Sequence, residues 1–166
     1  YSVVANLPYS SASAIIRFLL EQPNPPRRLT VMVQREVAER LVATPPNMSI
    51  LSVATQFYAS GEIAFHVPPG AFVPSPKVES SVVTLDSRPS LALPPETREA
   101  FFALVNAGFR HKRKTLANSI ADETREPKSL IAERLTAIGI DPLRRAQTLS
   151  LEDWVNLART WRAEPR

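Results

Sequence analysis

The chain is expected to be an α/β protein. It reads as the second half of a doubly wound sheet with an antiparallel edge, followed by a small all-α domain. Three observations lead there. Residues 29–33, Leu-Thr-Val-Met-Val, form a short continuous apolar run, the signature of a strand buried in a parallel sheet. Apolar runs and amphipathic stretches then follow in the order strand, helix, strand, helices, strand, strand. Beyond a proline-bearing linker, the hydrophobic period changes from two to about 3.6. The expected boundary divides residues 1–88 from residues 89–166.

Taken in order, Val3-Val4-Ala5 reads as the end of a buried strand. Residues 10–21 predict a helix with Ala14, Ile15, Phe18 and Leu19 on its apolar face and Arg17 and Glu21 off it. The second strand, 29–33, runs into a short helix carrying Val37, Leu41 and Val42. Thr44-Pro45-Pro46-Asn47 breaks that helix. Residues 49–58 predict another helix, with Leu51, Ala54, Phe57 and Tyr58 inward. Residues 62–67 alternate Ile63 and Phe65 with Ala64 and His66 as a third strand. The segment Ala-Phe-Val-Pro-Ser-Pro-Lys at 71–77 holds too much proline for a helix or a central strand. Residues 78–85 make a fourth strand; only a loop separates it from the third, so the two are expected to be antiparallel neighbours.

The expected linker spans 86–95 and carries Pro89, Pro94 and Pro95. Helices are then expected at 95–110, with Phe101, Phe102, Leu104, Val105 and Phe109 in the core, and at 114–121. A third, at 127–138, is closed by Gly139, and a fourth spans 150–162. Ser150 and Asp153 have the spacing of a capping box, and Trp154 and Trp161 read as core.

Composition removes several classes of function. There is no cysteine, hence no disulfide, thiolate metal site or thiol nucleophile. His66 and His111 lie far apart, so no metal site is expected. No apolar run is long enough to cross a membrane, and the first residues lack a secretory pattern; a cytoplasmic, membrane-free protein is expected. The net charge is +4, with an excess of +1 in residues 1–88 and +3 in 89–166. Arg110, Lys112, Arg113 and Lys114 concentrate it. Such a cluster is either a nucleic-acid contact or a solvated helix surface. The chain also opens almost inside its first strand. Preceding sequence, or a partner chain, is therefore expected along the Val3–Ala5 edge.

Asn6-Leu7-Pro8-Tyr9 stands where the first strand ends. In open α/β sheets, ligands bind outside the carboxyl ends of strands. The four residues suit an ordinary turn. On those residues alone the turn is the favoured reading, and the other is a holder for a planar, amine-bearing substrate: a carboxamide, a stiffened backbone and an aromatic ring.

Four stretches, in order, carry a resemblance. They are Asn6-Leu7-Pro8-Tyr9; Gln34-Arg35-Glu36-Val37 with Arg40-Leu41; Phe72-Val73-Pro74-Ser75-Pro76-Lys77-Val78-Glu79-Ser80; and Phe109-Arg110-His111-Lys112-Arg113-Lys114-Thr115-Leu116. Arg145-Ala146-Gln147-Thr148-Leu149-Ser150 adds a fifth. Together they resemble the rRNA adenine N6-dimethyltransferases of the KsgA/RsmA type. Leu7 favours this housekeeping branch over the macrolide-resistance methylases of the large subunit, which usually carry Ile there. Ser11 departs from the family, where an apolar residue is common.

The resemblance implies a class I (Rossmann-like) methyltransferase fold and S-adenosyl-L-methionine-dependent dimethylation of adenine N6 in small-subunit rRNA. It also implies a role in assembly of the pre-ribosomal small subunit. The family's Gly-rich cofactor loop has no counterpart here, so the chain resembles the carboxyl-terminal portion, with most of the cofactor pocket absent and no activity expected of it alone. By the same resemblance, Asn6 and the Leu7 carbonyl are acceptors for the adenine amine, Pro8 fixes the turn, and Tyr9 and Phe72 flank the base. Asn6 also borders the cofactor. Lys77, Arg110, Lys112, Arg113 and Lys114 are expected against RNA phosphates. Phe72 is equally a candidate loop anchor, and Arg35 and Arg40 are candidates for ion pairs with Glu36 and Glu39. The competing class is a non-catalytic RNA-binding or ribosome-assembly module in which Asn6 has lost its function.

Overall fold

A computed structural model describes residues 1–88 and 93–161. The chain divides into two compact units. One is built from Tyr1–Ala43 and the strands that follow Ala54. The other is built from Thr44–Val53 and the helices from Pro95 onward. The segment Thr44–Val53 thus groups with the helices although it precedes two of the strands. Met48 N–H donates to the Gln147 carbonyl at 3.0 Å, which fastens it there. Pro89 of the expected linker and Arg162 of the last expected helix lie outside the described residues.

The first unit is a four-stranded sheet of order β1-β2-β4-β3, made of β1 (Ser2–Asn6), β2 (Arg28–Gln34), β3 (Ala59–Val67) and β4 (Ser80–Ser87). β1 and β2 are parallel, and β4 runs antiparallel to both of its neighbours. The expected antiparallel pairing of the last two strands is present, with β4 inserted between β2 and β3. In β2, Leu29, Val31 and Val33 are completely buried, while Thr30 and Met32 are half-buried. One face is therefore core and the other partly covered. Arg28 and Asp86 are register partners across β2 and β4, and their side chains form a two-point ion pair at 2.6 and 2.9 Å. That hydrogen bond holds the Asp86 carboxyl below its ordinary value, partly offset by burial.

Helix α1 (Ala12–Leu20) turns a different face to the core from the one expected. Ala12, Ile16 and Leu20 are buried, whereas Phe18 is 64% exposed and Ala14 is exposed. Seven apolar residues in nine make two overlapping stripes, and tertiary burial selects between them. β3 begins at Ala59, three residues before the expected start. A bulge at Ala64 pairs Ile63 with Val83 and Phe65 with Val82. Adjacent partners face opposite sides of a sheet. Ile63 and Phe65 are therefore not on one face, and Phe65 is 57% exposed. Gly61 is closely packed: a Cβ there would lie 2.5 Å from Leu85 Cδ2, so the Leu85 side chain would have to shift.

Between these strands lie α2 (Arg35–Leu41) and α3 (Ile50–Tyr58). The second unit contains α4 (Pro95–Phe109), α5 (Leu116–Thr124), α6 (Lys128–Ala137) and α7 (Leu151–Thr160). Pro95 opens α4 at the position where a missing N–H costs nothing. Gly139, at φ 77°, follows α6, and Ser150 and Asp153 form the complete capping box of α7. Trp154 is fully buried and stacks on Phe109 with centroids 5.7 Å apart. A Cβ on Gly108 would sit 2.4 Å from Trp154 Cη2, so the α4–α7 contact needs glycine there. Trp161 is not core. It is half-buried under the Arg134 guanidinium, 4.6 Å from its ring centroid. Phe102 and Phe109 are likewise half-buried.

Candidate active site and RNA interface

Asn6 is the last residue of β1, paired with Met32, and its side chain is exposed. Leu7 is buried, and its N–H donates to the Met32 carbonyl at 3.1 Å. That bond carries the ladder one residue past the strand and then releases the chain. Pro8 follows, with its carbonyl accepting from Ser11 N–H at 3.1 Å. Ser11 therefore closes the turn with its backbone, and its side chain makes no cap bond. Among the described residues, no hydrogen bond engages the Asn6 carboxamide or the Leu7 carbonyl. Two acceptors, one side-chain and one main-chain, are thus held by a parallel ladder and left available.

Tyr9 is half-buried, and its hydroxyl meets Ser80 Oγ at 2.5 Å. Ser80 opens β4, pairs with both Gln34 and Val67, and is completely buried. The carboxyl ends of β1, β2 and β3 and the amino end of β4 therefore share one edge of the sheet. The loop 68–79 leaves β3 and enters β4 at that same edge, bringing Phe72 and Lys77 with it. Phe72 is half-buried at the end of a 3-10 turn, its N–H bonded to the Pro69 carbonyl at 3.2 Å. Ser75 Oγ also donates to the Pro69 carbonyl, at 2.9 Å, and closes the loop. Lys77 is exposed.

Arg35 is committed to structure. It pairs with Glu39 at 2.8 Å and with Glu79 at 2.6 Å, and its N–H donates to the Glu79 carbonyl. The bonds to Glu39 and then Glu79 raise its already high pKa. This clamp joins the start of α2 to the entry of β4. Sequence reasoning anticipated Glu39 as a partner but missed Glu79, as it missed Ser80. Both are distant in the chain, and only their place in the strand-entry motif hinted at them. His66 Nδ1 lies 2.8 Å from Ser81 Oγ on the strand, as an edge residue would.

The basic turn Arg110–Lys114 lies between α4 and α5. Helix α5 starts at Leu116, after the side-chain cap of Thr115, rather than at Lys114. The four cations are not equivalent. Lys114 Nζ bonds Asp122, and Arg110 Nε lies 3.6 Å from Glu123. His111 Nε2 lies 3.8 Å from each of these carboxylates. The Lys114 bond holds the Asp122 carboxyl below its ordinary value. Lys112 and Arg113 are exposed, and among the described residues no carboxylate pairs with them. With His111 they line a shallow concavity.

The family profile of ribosomal RNA adenine dimethylases matches residues 1–162. The chain belongs to this family. The expected resemblance thus stands, and with it the Rossmann-like methyltransferase fold. Among its dimethylase relatives, ribosomal RNA small subunit methyltransferase A of Dehalococcoides mccartyi strain CBDB1 is 39% identical over 165 residues, covering 99% of this chain and 57% of that protein. The protein of the same name from Desulfitobacterium hafniense strain DCB-2 is 45% identical over 154 residues, covering 92% and 55%. The chain therefore spans about half the length of these relatives. The crystal structure of a dimethyladenosine transferase from Plasmodium falciparum superposes with a TM-score of 0.79 at 23% identity, over 94% of this chain and 65% of that one. That of the 23S rRNA methyltransferase ErmE gives 0.74 at 24% identity, over 96% and 64%. At these identities, the two structures speak to the dimethylase fold alone.

Methyltransferases of this family use S-adenosylmethionine in general. Among the described residues, no glycine-rich loop stands after a strand to cradle it. Gly61 is a sheet-packing residue and Gly108 a helix-packing residue; Gly139 ends α6, and Gly70 lies in the loop before Phe72. None follows a strand as a phosphate- or ribose-binding loop. Only Asn6 stands where the resemblance puts cofactor contact.

Proposed function

We propose that a full-length protein containing this chain dimethylates adenine N6 in small-subunit rRNA, in the cytoplasm, and acts on the small subunit during its assembly. This chain would supply the wall that holds the target base. The observation that supports the reading is the pair of unused acceptors at Asn6 and Leu7, fixed by the Leu7–Met32 bond at the carboxyl end of β1. An exocyclic amine is a poor nucleophile because its lone pair is delocalised into the ring. Asn6 Oδ1 and the Leu7 carbonyl would each accept one N–H, which draws the lone pair out of conjugation and fixes its direction. Asn is neutral at all relevant pH, so the pair orients the amine without acting as a strong base. Tyr9 would stack on the base, which must leave its helix or loop to reach the turn. Phe72 would cover another face, and Lys77 with the basic turn would hold phosphates. Phosphate contacts position RNA without reading its sequence.

The test is methyl transfer from labelled S-adenosylmethionine to isolated small and large ribosomal subunits. The full-length protein and the 166-residue chain are assayed side by side. Label in adenines of the small subunit with the full-length protein, and none with the chain alone, is the expected result. Label confined to the large subunit, or absent from both with a folded full-length protein, would reject the proposal.

A further inference from the structure

We propose that Ser80 is a positioning residue that sets the plane of the Tyr9 ring; the inference rests on the base-stacking role proposed for Tyr9. Tyr9 lies three residues beyond β1, in a turn outside the sheet. Its nearest backbone restraint is the Pro8–Ser11 bond. A ring so placed has two free torsions. Its hydroxyl, however, meets Ser80 Oγ at 2.5 Å across 71 residues of chain. Ser80 is an anchor on a central strand. It is completely buried and paired on one side with Gln34 of β2 and on the other with Val67 of β3. A functional side chain held by a group on a central strand is more tightly placed than one held by its own loop.

The hydrogen bond also gives the buried serine that opens β4 a partner. Ser80 Oγ is buried, and Tyr9 is the partner it has; a buried hydroxyl without a partner costs stability. The ring is pinned at its far atom, so its face stays available while its tilt is fixed. The turn that carries the two acceptors is thereby tied to β2 by its backbone and to β4 by its ring.

The experiment compares Ser80→Ala, Tyr9→Phe and the double variant in the full-length protein, with Tyr9→Ala as reference. Steady-state methyl transfer to small-subunit RNA, RNA affinity and thermal unfolding are measured. Each single variant removes the same bond and keeps the ring, so kcat should fall about five- to tenfold in both. RNA affinity, set by phosphates, should stay within about twofold. The double variant should be no slower than either single one, because the bond is lost only once. A full-rate Ser80→Ala, or a double variant that loses the product of the single effects, would overturn the inference. Should Ser80→Ala not fold, Tyr9→Phe alone decides: a wild-type kcat overturns it and a reduced one at unchanged affinity supports it. A full-rate Tyr9→Ala would instead remove the stacking role and leave Asn6 untouched.

Discussion

The turn at Asn6–Tyr9 and the turn at Arg110–Lys114 are built on opposite principles. The first carries no charge. Its backbone is held by β2 through Leu7, its ring by β4 through Ser80, and its acceptors are left free. The second is all charge on a loop, and two of its four cations already face carboxylates of α5. Orientation of a reacting atom tolerates little displacement, which on the proposed reading suits a turn held by a sheet. Electrostatic attachment to a polyanion tolerates several geometries, which on the proposed reading suits exposed side chains on a loop. The contrast teaches that a count of basic residues overstates the interface, while a four-residue motif understates the depth of support behind a site.

The sharpest way to break the comparison is Asn6→Ala in the full-length protein. Methyl transfer should fall by about 10²- to 10³-fold, the loss expected for one preorganised polar group. RNA affinity should not change. Residual turnover near wild type, measured by single-turnover kinetics, would mean that the uncharged turn orients nothing.

Next in size is Gly108→Ala. The new methyl would meet Trp154 and should destabilise the helical unit by about 1–3 kcal/mol, read from urea unfolding. An unchanged midpoint would show that the scaffold behind the basic turn is looser than the α4–α7 packing implies.

Two double variants then separate the cations. Lys112→Ala with Arg113→Ala removes unpaired charges, and Arg110→Ala with Lys114→Ala removes paired ones. The first should flatten the dependence of log K on log salt by about two units, and the second by less. Equal slopes would show that Asp122 and Glu123 release their partners at no cost.

The smallest effect concerns Asp122. Its carboxyl is held below its ordinary value by the hydrogen bond from Lys114, so the bond stabilises the fold above the ordinary carboxylate pKa. That stability is lost as pH falls through the lowered value. Asp122→Asn should therefore lower the melting temperature slightly at neutral pH and not at all in strong acid, since the pair is exposed. It should also free Lys114 and tighten RNA binding modestly. Weaker binding would place Asp122 among the groups that shape the interface.

Much of the molecule was legible in the residues because the determinants are local. Strand periodicity, the Pro95 start of α4, the Ser150–Asp153 cap and the glycine after α6 each act within a few residues. The Asn6–Tyr9 turn could be placed at a strand end for the same reason, and four short motifs in order sufficed to indicate the family. Tertiary structure decided the rest, wherever the deciding partner is far along the chain. Tertiary packing chose Ala12, Ile16 and Leu20 over Phe18 as the buried stripe of α1. A single inserted residue at Ala64 reversed the side on which Phe65 stands, since a period of two has no tolerance for an extra residue. Pairing with α5 carboxylates set Lys112 and Arg113 apart from Arg110 and Lys114. The bond from Tyr9 to Ser80 spans 71 residues, and only the insertion of β4 beside β2 brings its two hydroxyls together.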